Sequence, residues 1–141
     1  PYKVTEEIHR VLKDDGLVYA ETPFMQQVHM APYDFTRFTF LGHIRLFRKF
    51  VMLKGGAAVG PGSALAWSIM YFFMSFTKTS WLRYFIMFIV HLLFFWIKFF
   101  DYLLINKSSA LDAASGYYFI FRKRNKIISD KDIIKYYRGG F

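Results

Sequence analysis

Glu7-Ile8-His9-Arg10-Val11-Leu12-Lys13-Asp14-Asp15-Gly16-Leu17-Val18-Tyr19-Ala20 is the stretch on which the fold turns. Val4, Ile8, Val11 and Leu12 recur at helical spacing, with Glu6 and Glu7 toward the start and Arg10 and Lys13 toward the end, so the charges complement the helix dipole. Asp14-Asp15-Gly16 supplies the stop, Gly16 being the residue expected to adopt the left-handed backbone there. Leu17 to Ala20 then reads as a short apolar strand. Helix, Gly turn and buried strand together predict an α/β unit.

Downstream, Glu21-Thr22-Pro23 is expected to leave the sheet, because Pro cannot donate to a ladder, and a polar stretch runs on to Thr39. In parallel α/β sheets ligands bind beyond the carboxyl ends of strands, which makes Glu21 to Thr39 the leading site candidate. Thr39 can cap a helix with Phe40, Ile44 and Phe47 on one face and Arg45, Arg48 and Lys49 on the other. A strand is predicted near Phe50 to Leu53. Gly55-Gly56 and Gly60-Pro61-Gly62 flank a second short strand, Ala57 to Val59, with a bulge or a close backbone approach. Beyond the apolar middle, Tyr117 to Phe121 is a β-branched and aromatic strand ending at Arg122-Lys123-Arg124, and Ser129 caps a last short helix.

The 141 residues suit one compact domain. A 55% hydrophobic and 22% aromatic composition excludes disorder and exceeds the roughly 45–50% apolar content usual for soluble domains. A net charge of +9 calls for an acidic partner: nucleic acid, an anionic membrane face or an anionic substrate. The absence of Cys excludes disulfides, thiolate metal sites and Cys nucleophiles.

Glu7 to Leu17 resembles the E-x-x-R-V-L-K-P-G-G signature that precedes a late strand in Rossmann-like, class I S-adenosylmethionine-dependent methyltransferases, with Asp14 and Asp15 in place of the usual Pro and first Gly. Glu21-Thr22-Pro23-Phe24 to His29, then Pro32-Tyr33-Asp34-Phe35-Thr36-Arg37-Phe38-Thr39 and Gly42, is similar to a type 11-like subgroup associated with glycan or lipid biosynthesis, as is Ala114 to Lys123. The resemblance implies the C-terminal portion of a Rossmann-like sheet of seven strands. The half that binds S-adenosylmethionine, through a Gly-rich loop and an acidic ribose-binding residue, would precede this chain, so the cofactor-binding residues are unknown and the fragment alone is expected to be inactive. Gly55-Gly56 and Gly60-x-Gly62 lack the G-x-G-x-x-G spacing and the early-strand position that such a loop needs.

Methyl transfer needs an aligned acceptor and often a base. On the candidate loop His29 is the expected base, Asp34 a second catalytic group, and Arg37, Tyr33 and Glu21 substrate-binding groups. The competing structural reading is that Asp34 and Arg37, three apart, form a local ion pair and that Pro32-Tyr33-Asp34 is a turn. No His and carboxylate pattern has zinc-type spacing, so no metal is expected.

Ala64 to Thr77 and Trp81 to Ile105 predict two long helices, interrupted at Lys78-Thr79-Ser80. The uncharged runs Ala64 to Thr77 and Tyr84 to Ile97 fall short of the roughly 20 residues that span a bilayer, and extending the second takes in Lys98 and Asp101. An in-plane or shallow hairpin is therefore expected, with Lys78, Arg83 and Lys98 at anionic headgroups and Trp67, Trp81 and Trp96 at the interface. The alternatives are helices packed on each other and on the sheet, or a homodimer face. Nucleic acid ranks third, because the aromatics are not interleaved with basic residues.

The resulting expectation has three segments: 1–62 and 115–141 as methyltransferase α/β core, and 63–114 as an inserted apolar helical hairpin. The expected function is methyl transfer to a small-molecule, glycan-linked or lipid-linked substrate, in the cytoplasm or peripherally at the inner face of the membrane. The alternative is a non-enzymatic membrane-associated protein with an α/β cap.

Overall fold

A computed structural model describes residues 1–140; Phe141, the last residue of the third expected segment, lies outside the described residues. The chain is mixed α/β. Its elements are α1 (Tyr2–Val11), β1 (Leu17–Pro23), α2 (Phe40–Leu46), β2 (Phe50–Val59), α3 (Pro61–Met74), α4 (Ser80–Phe94), a 3₁₀ segment (Phe95–Phe100), α5 (Asp101–Leu104), α6 (Ala110–Ala113), β3 (Gly116–Lys123) and α7 (Asp130–Ile134).

The three strands lie in the order β1-β3-β2, and both ladders are antiparallel. The antiparallel pairing corrects the expected parallel sheet. β1 and β2 nevertheless point the same way, each antiparallel to β3 between them. β1 also runs longer than expected: Glu21, Thr22 and Pro23 stay in the sheet opposite Tyr118, Tyr117 and Gly116. Pro23 is tolerated because it ends a strand that is an edge among the described residues. The two strands expected around Gly55-Gly56 are one, β2, with register shifts at Met52/Lys54 and Ala57/Val59. A Cβ on Gly55 would lie 2.9 Å from the Phe119 ring, so the glycine lets the strand close over that ring.

β3 alternates cleanly, with Tyr117, Phe119 and Phe121 buried and Tyr118, Ile120 and Arg122 facing the other side. Phe40 and Ile44 of α2, Phe47 at its C-cap and Ile133 of α7 cover the buried face, and Ile8 of α1 and Leu12 at its C-cap pack beside them. Each fully buried ring or branched chain contributes about 1.5–3 kcal/mol of hydrophobic stabilisation. Val4 and Val11, expected on the inward stripe of α1, are exposed, because the buried arc is centred on Thr5, Ile8 and Leu12 and the two valines lie on its flank. The turn after α1 also differs from expectation: Asp15, not Gly16, takes the left-handed backbone, at φ 58°. Gly16 is needed for room, since a Cβ there would meet Leu12 Cγ at 2.6 Å and the Lys13 carbonyl at 2.8 Å.

Between β2 and β3 the chain leaves as α3 and returns through α4, the 3₁₀ segment and α5. Ala64, Met74, Val90 and Ile97 are buried between these legs, and none of them joins the core of the sheet. The hairpin thus carries a small core of its own.

Candidate functional site

β1 delivers the chain to the candidate loop, residues 24–39, and backbone bonds hold the loop's first residues against the start of β3. The Phe24 N–H donates to Ser115 O at 2.8 Å and Met25 N–H to Ala114 O at 3.2 Å. Phe24 stacks on Tyr117 at 5.1 Å, which anchors the entry to the core. At the exit, Thr39 caps α2 by accepting from Gly42 N–H at 3.1 Å, as its residue type and position suggested.

The middle of the loop is tied by one knot. The Arg37 guanidinium donates to both oxygens of Asp34, to Phe24 O at 3.4 Å and to Gln27 O at 3.2 Å. Asp34 also accepts from the His29 backbone N–H at 2.8 Å. The ion pair suggested by the three-residue spacing is therefore present, and it staples residues 24 to 37 into one turn. Arg37 beside it, and secondarily the His29 N–H, holds the Asp34 carboxyl below its usual range, which makes it a weak base. Hydrogen bonding to Asp34 and two backbone carbonyls occupies the Arg37 fork.

The structure brings His29, Asp34 and Arg37 together, but through the His29 backbone. The His29 side chain is exposed, and its imidazole makes no hydrogen bond among the described residues. Tyr33 is also exposed, 6.5 Å edge-on from the Phe35 ring. Glu21 stands on β1 outside the knot and accepts from Tyr19 OH at 2.9 Å. Val28, Met30, Tyr33 and Phe35 give the loop an apolar outer surface.

Two contacts were not anticipated. Gln27 Nε2 donates to Ser68 Oγ of α3 at 2.8 Å, and Ser68 in turn donates to Ala64 O at 2.8 Å, so the loop is fastened to the hairpin. Gln27 Oε1 is buried there without a partner among the described residues. Asp101, which looked like a charge misplaced in an apolar helix, caps α3: it accepts from Gly62 N–H at 2.7 Å, Ser63 N–H at 3.0 Å and Ser63 OH at 2.7 Å. The signal was legible in principle as a Gly-Pro-Gly-Ser helix start facing a lone distant acid, but nothing local links residues 62 and 101.

That cap bears on S-adenosylmethionine. The junction from β2 to α3 is a Gly-rich passage from strand to helix, the arrangement that could present backbone N–H groups to a ligand. Its N–H groups are already taken by Asp101, and a Cβ on Gly60 or Gly62 would strike that carboxylate at 2.3 Å or 2.9 Å. This junction therefore does not form a cofactor cradle. No group of three or more His or acidic side chains is placed to hold a metal among the described residues.

No family model matches the sequence, and neither the curated proteins nor the solved structures yield a match to it.

Proposed function

We propose that this chain is the acceptor-side portion of a Rossmann-like, S-adenosylmethionine-dependent methyltransferase working on a glycan-linked or lipid-linked substrate at a membrane. The observation that carries the proposal is the placement of the two sequence blocks. Glu7 to Leu17 forms the helix, turn and start of β1, and Pro32 to Gly42 forms the loop beyond the end of that same strand and the capped start of α2. The outer edge of β1 is unpaired among the described residues, and the sheet face bearing exposed Leu17 and Tyr19 carries no core helix, so both offer places for the elements of a larger sheet. In this reading a preceding half binds the cofactor.

Within the loop, His29 takes the proton of the acceptor's hydroxyl or amine. Asp34 and Arg37 hold the loop's shape, and Tyr33 with its apolar neighbours contacts the acceptor. The Gln27–Ser68 bond keeps this surface beside the hairpin, where a membrane-bound acceptor would arrive.

The full reading frame that encodes this chain is the material for the test. It should bind S-adenosylmethionine in calorimetry and transfer a labelled methyl group into a membrane extract. His29→Ala should lower turnover while leaving cofactor affinity unchanged. An equal loss of both assigns His29 a structural role. Absence of cofactor binding by the full frame overturns the reading in favour of a non-enzymatic membrane protein with an α/β cap.

A further inference from the structure

The two legs of the hairpin are level with each other and graded along their length. Lys98 lies near the root, where the chain rejoins the sheet, with Nζ 5.4 Å from the Phe99 ring and 6.0 Å from the Phe95 ring. Trp96 stands two residues before Lys98, and Tyr102 follows close by, 82% exposed, while Trp67 lies midway along α3. The far end, Ser75 to Ser80, carries Lys78, and the adjoining turn of α4 adds Trp81, Arg83 and Tyr84, all exposed. Between these ends the second leg reads Phe85-Ile86-Met87-Phe88-Ile89-Val90-His91-Leu92-Leu93-Phe94, without a charge. The one polar ring in it, His91, is bonded inside the helix, Nδ1 to Met87 O at 2.9 Å.

An in-plane helix needs a polar face for water. α3 contains no charged residue, and its exposed Leu65 and Trp67 lie about 200° apart around the helix, so no rotation turns a polar side outward. The stretch Ser80–Leu104 is 25 residues long and apolar enough to cross a membrane, with only 11% of its most apolar window buried. A hairpin inserted only halfway across would leave Lys78 and Arg83 near the bilayer midplane, at a cost of about 2.5–3.5 kcal/mol each. A crossing instead delivers them to the opposite headgroups. The objection raised by Asp101 also disappears, because its carboxylate is satisfied by the start of α3 at the root.

We infer that α3 and the leg from α4 to α5 cross a lipid bilayer as a two-legged hairpin. The sheet lies on one side, and the Lys78–Arg83 tip reaches the anionic headgroups of the other. The uncharged part of each leg, 14 residues of α3 and the 14 from Tyr84 to Ile97, spans about 21 Å of a hydrocarbon layer about 30 Å thick. Lys78, Arg83 and Lys98 close the difference by extending their side chains outward, with the bilayer thinning around them. Aromatic residues at both ends, Trp96 and Tyr102 at the root and Trp81 and Tyr84 at the tip, match the two interfacial belts of a crossing segment. This inference is independent of the methyltransferase reading.

The lack of native Cys makes the test direct. Single cysteines replace exposed residues at the tip, Thr79→Cys, and on the sheet side, Asn125→Cys, in the full-length protein. Right-side-out and inverted vesicles of the expression host are then treated with a membrane-impermeant maleimide. The expected result is opposite sidedness: in the preparation where Asn125→Cys labels fully, Thr79→Cys falls to background, and the reverse holds in the other. Labelling of both sites in the same vesicles overturns the crossing and leaves an in-plane hairpin. Release of the protein by alkaline carbonate, or its recovery as a soluble dimer, overturns membrane insertion altogether.

Discussion

His43 shows how one side chain can be fixed by packing alone. Its ring is buried on α2, stacked on Phe47 at 5.0 Å and 2° and on Phe119 at 4.5 Å and 16°, with Phe38 edge-on at 6.2 Å. Neither ring nitrogen has a hydrogen-bond partner among the described residues. Desolvation lowers its pKa to about 4 from the usual 6.5. Because the folded value is the lower one, protonation favours the unfolded chain. Stability is level above about pH 6.5 and declines from there to about pH 4, by roughly 3 kcal/mol in all. His43→Phe keeps the stack and removes the titration, so thermal unfolding monitored from pH 7 to 4 should show a flattened acid limb and a raised melting temperature. An unchanged pH profile would assign the acid sensitivity elsewhere. At the same scale, Asp34 was read from the sequence both as a catalytic group and as half of an ion pair. Only the geometry shows how fully Arg37 and the His29 N–H engage it.

Among the elements, α3 depends on a cap supplied from 39 residues away. Asp101→Ala removes three accepted hydrogen bonds at that helix start and should cost about 1–2 kcal/mol in detergent-solubilised thermal unfolding, whereas Asp101→Asn should retain part of the cap. Gly62→Ala tests the same junction differently. Its Cβ would lie 2.6 Å from the Ile97 carbonyl, a backbone contact that cannot rotate away, so the legs must separate and the melting temperature should fall. Equal stability of Gly62→Ala and the parent would mean that the two legs do not approach as closely as described. The positions and types of the elements were largely legible because their signals are local: helical spacing in α1 and α2, caps at Thr39 and Ser129, and alternation in β3. The errors fell where a distant element decides. Pro23 remains in a strand because that strand is an edge, and β2 runs unbroken through two glycines because the Phe119 ring takes the space at Gly55 and the Tyr118 ring that at Gly56.

For the whole molecule, two cores meet at few points, and Gln27–Ser68 is one of them. Gln27→Ala should leave the melting temperature of the sheet nearly unchanged and raise hydrogen exchange in residues 24–38. Unaltered exchange there would show that Arg37 alone fixes the loop. The amino-acid sequence by itself determined the division into an α/β unit and an apolar hairpin, the approximate span of most elements and the single loop holding His29, Tyr33, Asp34 and Arg37, because periodicity, composition and capping act within a few residues. Tertiary structure alone decided that β3 lies antiparallel between β1 and β2, that Asp101 closes the Gly-rich start of α3 and that His43 is stacked among aromatic rings. Those outcomes depend on contacts between residues tens of positions apart, whose free energy exists only once the chain has closed on itself.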